Sequence, residues 1–345
     1  MLSAANPQLE STLAAARRGD HAAFAQLAEP HRRELLAHCY RLTASAHEAE
    51  DQVQETMLRA WRRLETYAGR ASFRAWLYRI ATNACLDALD RHARRALPST
   101  RFPAADAAAP LAAPVFEPVW LEPFPDEWFS DATLSAGANP EARYTARESV
   151  RLAFIAALQA LPPRQRAVLL LRDVLDWSAA ENAECLEMTV PAVNSALHRA
   201  RTTLARHEAV GRDQASPALD DPAAQELLDR YVHAWEAADV DGFVALLRED
   251  AVATMPPTPT WFSGRAAISA FTRQIFSQFG PGRQRLLPVR ANGQPAFGIY
   301  TAAQPGGPFT AQGVQVLTLA AGRLARLDMF LDPAVLRLFN LPASL

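Results

Sequence analysis

The sequence contains no lysine; all 35 of its basic residues are arginine. A GC-rich genome produces that bias by codon usage, so arginine alone is no evidence for phosphate binding. Cysteine is scarce too. Cys39, Cys85 and Cys185 lie far apart, with no histidine at zinc-ligand spacing, and read as reduced, mostly buried thiols without metal or redox chemistry. No uninterrupted apolar run approaches the ~18 residues of a membrane span. The start, MLSAANPQLE, lacks the basic-then-apolar order of a signal peptide, so a cytoplasmic protein is expected. A net charge of −2 offers no strong overall attraction for nucleic acid.

That near-neutral total conceals a division. Residues 1–96 carry 14 Arg against 11 acids and residues 143–210 carry 9 against 7, whereas 97–142 holds 1 Arg against 7 acids. Residues 211–345 balance at 11 against 12. Two mildly basic segments thus flank an acidic one, in a chain of 345 residues, long enough for two or three domains.

The stretch PAVNSALHRARTTL, residues 191–204, shows what one of those segments offers. Wound as a helix, it puts Val193, Leu197, Ala200 and Leu204 on one apolar stripe. Its other side carries Asn194, Ser195, His198, Arg199, Arg201 and Thr202, and no acid occurs from Thr189 to Arg206. Ser178 and Glu181 form a capping box for a short preceding helix that ends near Leu186. A tight turn follows at Glu187 and Met188, and Thr189 caps the next helix. Two short helices of this kind make a helix-turn-helix, whose second helix can read base edges in the major groove. Upstream, Tyr144–Ala160 reads as a helix, and LPPRQR ends it and begins another.

In the first segment, HEAEDQVQETMLRAWRRL turns Val53, Met57, Ala60, Trp61 and Leu64 inward and leaves Asp51, Gln54 and Glu55 outside. After a break at Gly69, Ser72 caps a helix with Phe73, Leu77, Ile80 and Ala84 inward. Trp76, Arg79 and Asn83 form a row along its flank, although Trp76 could equally join the core beside Phe73 and Leu77. The Pro- and Ala-rich 97–142 reads as a linker. Its WLEPFPDEWF, residues 120–129, is either a patch folded back on a neighbouring domain or an acidic-aromatic plug over a basic surface. From about Asp221 amphipathic helices give way to alternating strands, which suggests a small α+β cone with a curved antiparallel sheet and an interior cavity.

EDQVQETMLRAWRRL…YAGRASFRAWLYRIATNACLD followed by LPPRQRAVLLLRDVLDWSAAENAECLEMTVPAVNSALHRARTTL resembles the two domains of extracytoplasmic-function sigma factors of the sigma-70 family. The tail is similar to SnoaL-like domains of the nuclear-transport-factor-2 cone fold. The resemblance implies a multidomain chain: sigma region 2 in 1–96, the linker 97–142, sigma region 4 in 143–210 and a SnoaL-like α+β cone in 211–345, the first and third being all-α. It implies that Asp51, Gln54 and Glu55 dock on RNA polymerase core, at the β′ clamp helices. Tyr67, Arg70, Trp76, Arg79 and Asn83 would bind the −10 element of promoter DNA. Asn194, Ser195, His198 and Arg199 would read the −35 element, with Arg201 on phosphate. Where the family often has glycine in the helix-turn-helix turn, Glu187 stands here, so either the residue bears a left-handed strain of about 1 kcal/mol or the turn differs slightly, and neither excludes binding.

Cone enzymes of this kind use an Asp or His as base. His233, Asp250 and Asp328 are the candidates, with no acid–base pair visible among them. A regulatory cone fits better, either taking a small apolar ligand against Met255, Trp261, Phe262 and Tyr300 or packing against the sigma domains. No nucleotide, metal or other cofactor is implied. The competing reading is a helix-turn-helix regulator with a ligand-sensing cone that acts without polymerase core, but it leaves residues 48–92 without a role.

Overall fold

Side-chain caps from Asp20, Ser45 and Ser72 set three helix starts in the first half of the computed structural model, which describes residues 7–69, 71–91, 95–115, 120–129, 150–208 and 221–345. The chain divides into two units: residues 1–93, 128–150 and 157–205 in the first, and 94–127, 151–156 and 206–345 in the second.

In the first unit, α1 (Pro7–Arg17) and α2 (His21–Ala28) lead into α3 (Arg32–Thr43), α4 (Ala46–Arg62) and α5 (Phe73–Leu89). Ser45 accepts the Glu48 amide at 3.1 Å to start α4, and Ser72 accepts the Ala75 amide at 3.1 Å to start α5. Leu35, Tyr40, Leu42, Leu77 and Tyr78 are fully buried where α3, α4 and α5 meet. Buried among them, His38 holds Thr82 Oγ1 at 2.9 Å through Nε2.

The same unit contains the helix-turn-helix. The helix expected over Tyr144–Ala160 is α6 (Leu152–Leu158), of which residues 152–156 count with the second unit, and residues 144–149 lie outside those described. Pro163 opens α7 (Pro163–Leu169), which relaxes into a π turn at Leu170–Val174. The capping box is present at α8 (Ala179–Leu186): the Glu181 amide donates to Ser178 Oγ at 3.2 Å and the Ser178 amide to Glu181 Oε2 at 2.7 Å. Thr189 Oγ1 accepts from Ala192 to start α9 (Val190–Glu208), whose stripe Val193, Leu197, Ala200 and Leu204 is buried as its spacing requires. Within this unit α7 packs on α3 and α5, and α8 on α5.

The second unit is an α+β cone. Helices α10 (Pro222–Glu236), α11 (Val240–Leu246) and α12 (Arg265–Phe279) cover a six-stranded sheet, and α13 (Pro333–Leu338) follows the last strand. The strands β1 (Leu247–Thr254), β2 (Trp261–Ser263), β3 (Gln284–Ala291), β4 (Gln294–Ala302), β5 (Phe309–Ala320) and β6 (Arg323–Phe330) lie in the order β2-β1-β6-β5-β4-β3. The sheet is mixed rather than antiparallel throughout, because β1 runs parallel to β6. Beside a break in the β4–β5 register, Gly313 lets β6 come so close that a Cβ there would collide with the Phe330 carbonyl. Tyr231, Trp235, Phe243, Phe276 and Phe297 pack edge and face across the interior, and the Tyr231 hydroxyl donates to Gln315 at 2.8 Å.

Much of the expected linker is part of this unit. Ala105 N donates to Trp261 O at 2.8 Å, Val115 N to Pro257 O at 2.9 Å, and Trp261 Nε1 to Phe102 O at 2.8 Å. The β3–β4 hairpin turns at Asn292-Gly293, both with positive φ as a two-residue turn of this type requires. That turn is also a docking point. Asn292 exchanges hydrogen bonds with the Phe124 backbone at 2.9 Å each way, and Gly293 N donates to Asp126 at 2.8 Å. Leu121 and Phe124 of WLEPFPDEWF are completely buried. The patch therefore folds back on a domain: burial of Leu121 and Phe124 holds residues 120–127, and backbone hydrogen bonds to Trp261 and Pro257 hold the largely exposed stretch between Phe102 and Val115.

Candidate nucleic-acid interface

On α9 the side chains of Asn194, Ser195, His198 and Arg199 are all exposed. Arg199 Nη1 donates to Ser195 Oγ at 2.6 Å, one turn back, so the guanidinium is held along the helix rather than left to sweep. Arg201, expected on phosphate, is paired with a carboxylate in this structure. Its Nε and Nη2 hold both Asp173 oxygens at 3.0 and 2.6 Å, a fork tying α9 to the π turn, and this pairing raises its already high pKa. Two residues beyond Arg199, it projects from a different side of the helix, within reach of that turn.

Glu187 adopts φ 54°, ψ 47°, and its N–H donates to Ala183 O, so a non-glycine residue does occupy the left-handed turn. Glu187→Gly should raise the free energy of unfolding of this unit by about 1 kcal/mol. Urea titration followed by tryptophan fluorescence checks it; an unchanged midpoint would mean the turn carries no strain.

Along the flank of α5, Trp76, Arg79 and Asn83 are partly buried and line one groove of about 880 Å³ together with Tyr67, Gly69 and Ser72. The Tyr67 ring lies 5.3 Å from Trp76 and meets Phe73 edge-on at 5.5 Å, while its hydroxyl donates to Ala71 O at 2.8 Å. Arg17 donates to the Tyr67 carbonyl and pins the loop. Trp76 is thus backed by aromatic rings yet borders the groove, which joins its two readings. Arg70 lies outside the described residues. On α4, Asp51 and Gln54 are exposed, while Glu55 accepts from Arg59 at 2.6 Å, and Arg59 also donates to Asp87 at 2.9 Å.

Of the four residues singled out in the cone, Met255 and Phe262 share one buried core cluster, while Trp261 and Tyr300 lie outside it. Trp261 bonds Phe102, and the Tyr300 hydroxyl donates to Pro342 O at 2.8 Å. None of the four lines the apolar cavity among Trp235, Phe243, Ile268, Phe276, Leu327 and Met329, and at about 20 Å³ it has room for roughly one water. The candidate bases lie elsewhere as well. His233 is exposed, and Asp250 is exposed and paired with Arg248 at 2.8 Å. Asp328 sits between Leu327 and Met329 in the strand and so on the sheet's opposite face. There it accepts from Thr254 at 2.7 Å and Arg326 at 2.8 Å, and Arg326 reaches on to Ser99.

Sequence reasoning missed Arg166, which is completely buried and donates to the Leu42 and Leu161 carbonyls. PPRQRA gives no signal that its second arginine faces inward.

Comparison with known proteins matches residues 27–95 to the sigma-70 region 2 model, 151–204 to a sigma-70 region 4 model and 228–327 to the SnoaL-like domain. Over 330 residues the chain is 47% identical to the ECF RNA polymerase sigma factor SigG of Mycobacterium tuberculosis strain H37Rv, covering 95% of this chain and 86% of that one. This chain belongs to the ECF sigma factors. The sigma factor is also 31% identical over 288 residues to SigJ of the same organism, covering 80% of each chain. The crystal structure of M. tuberculosis SigJ superposes with a TM-score of 0.58 at 25% identity, covering 90% of this chain and 97% of that one. As a sigma factor the chain binds RNA polymerase core and promoter DNA and takes part in transcription initiation. The groove falls within its region 2 match and α9 within its region 4 match. No described helix is long and apolar enough to cross a membrane.

Proposed function

We propose that this sigma factor holds the −10 element in the α5 groove and reads the −35 element with α9, while its cone regulates initiation without catalysing a reaction. The observation that carries the DNA assignment is the pairing of two different surfaces in one unit. One is an aromatic-lined groove with an arginine and an amide, suited to an unpaired strand. The other is an acid-free helix face, suited to a duplex groove. Residues 1–96 supply the first and 143–210 the second. Asp51 and Gln54, free on α4, are the carboxylate and amide offered to the polymerase β′ clamp helices, with Glu55 partly engaged by Arg59. The protein works in the cytoplasm, where its polymerase is.

For the cone, the supporting observation is that residues 99–115 and 124–126 are hydrogen-bonded to residues 221–345. A domain that grips the connection between regions 2 and 4 can shift the fraction of molecules able to hold polymerase. None of the three candidate bases faces the cavity, which favours regulation over turnover. Transcription in vitro with core polymerase and the chain lacking 211–345 decides the point: altered output is expected, and unaltered output would remove the regulatory role.

A further inference from the structure

The groove assigned to the −10 element has a second wall, and that wall is acidic. Opposite Tyr67, Trp76, Arg79 and Asn83 it is lined by Trp177, Glu181, Glu184 and Glu187, all from region 4. Arg79 Nη2 stands 3.5 Å from Glu187 Oε1, and its Nη1 stands 4.0 Å from Glu184 Oε1. Three further features hold the two regions together. The buried Arg166 guanidinium of α7 donates to the Leu42 carbonyl at the C-terminal end of α3, where a cation is favoured. Trp177 packs edge-on against Tyr78 at 6.1 Å. Cys185 of α8, only 2% exposed, lies against Thr82 of α5.

We propose that α8 is an internal stand-in for DNA: Glu184 and Glu187 occupy the partner positions of Arg79 that a phosphate would take, so this arrangement of the sigma factor is closed to the −10 strand. This rests on the −10 assignment above. An anionic strand entering the groove would meet two carboxylates, and like charges across an interface oppose binding. The ion pairs are exposed and individually weak, as a reversible latch requires; packing around Arg166 and Trp177 supplies the register. Glu181 already serves the capping box and belongs to the helix rather than to the latch. The acid-free face of α9 stays exposed in the same arrangement, so the closure is selective for one promoter element.

The test uses the full chain without polymerase and a fluorescein-labelled non-template strand spanning the −10 element of a promoter mapped for it. Glu184→Gln/Glu187→Gln should bind that strand about 2- to 30-fold more tightly, the equivalent of two exposed ion pairs. Cys185 should also react faster with N-ethylmaleimide, as followed by mass spectrometry, because opening uncovers it. Glu10→Gln/Glu226→Gln, which changes the total charge equally at exposed positions elsewhere, should change neither. An equal gain in that control, or a faster Cys185 reaction without tighter DNA binding, overturns the proposal, as does no change in either reading. If the wild-type chain bound to core polymerase shows no preference for the −10 strand, the −10 assignment itself falls and takes the latch with it. If it shows that preference while the glutamine variant is unchanged, the latch alone falls.

Discussion

Arg199→Ala should weaken binding to the −35 element by about 1–3 kcal/mol, or roughly 5- to 150-fold, and relax the base preference at one position. Arg199 is exposed on the acid-free face of α9, and Ser195 holds its guanidinium along the helix at 2.6 Å. An arginine so oriented presents a fork to a base edge with less side-chain entropy left to lose. Arg201→Ala makes the informative contrast. Its guanidinium already grips Asp173 through both oxygens, so its loss should leave base preference intact. Fluorescence anisotropy against a panel of −35 substitutions separates the two. Equal loss of affinity on every sequence would make Arg199 a phosphate contact instead.

The second large effect concerns pH. Burial pushes the His38 imidazole down to about 3, and the nearby Arg41 and Arg74 guanidinium groups push the same way. Unfolding returns it to about 6.5, so between those values the unfolded chain binds a proton that the folded chain refuses. Stability is therefore full above pH 6.5 and falls as pH drops, by up to about 1.4 kcal/mol per unit. From pH 6.5 to 5 the loss should reach about 2 kcal/mol. Glu34, held below its usual range against burial by His31 and Arg74, loses its own contribution only under pH 4.5, which leaves the higher window to His38. Denaturant midpoints across pH 5–7 should show this slope in the wild type and a flatter one in His38→Gln. Equal slopes would mean that water reaches the imidazole.

What the sequence made legible follows from how local each signal is. Ser72, Ser178, Glu181 and Thr189 act within one helical turn, and every one of these caps forms where its spacing places it. The stripe Val193, Leu197, Ala200 and Leu204 is likewise set by helical period alone. The parallel pairing of β1 with β6 joins segments some seventy residues apart, and no short-range pattern encodes it. The docking of Phe124 on Asn292 spans 168 positions and reads locally only as a Pro-rich linker. Arg201 and Arg166 show the limit most plainly. Whether an arginine meets a phosphate, an aspartate or a buried carbonyl depends on what tertiary structure brings to it. The pattern of helices and strands in the tail suggested a cone with an interior cavity, but not that Tyr231, Trp235, Phe243 and Phe297 would pack across its interior.

A photo-crosslinking amino acid placed at Trp76 or at His198, in holoenzyme assembled with core polymerase on a mapped promoter, measures the division of labour between the two surfaces. Position 76 should crosslink to the −10 element and position 198 to the −35 element of the same promoter. Crosslinks from both positions to one element, or from position 76 to polymerase and never to DNA, would contradict it.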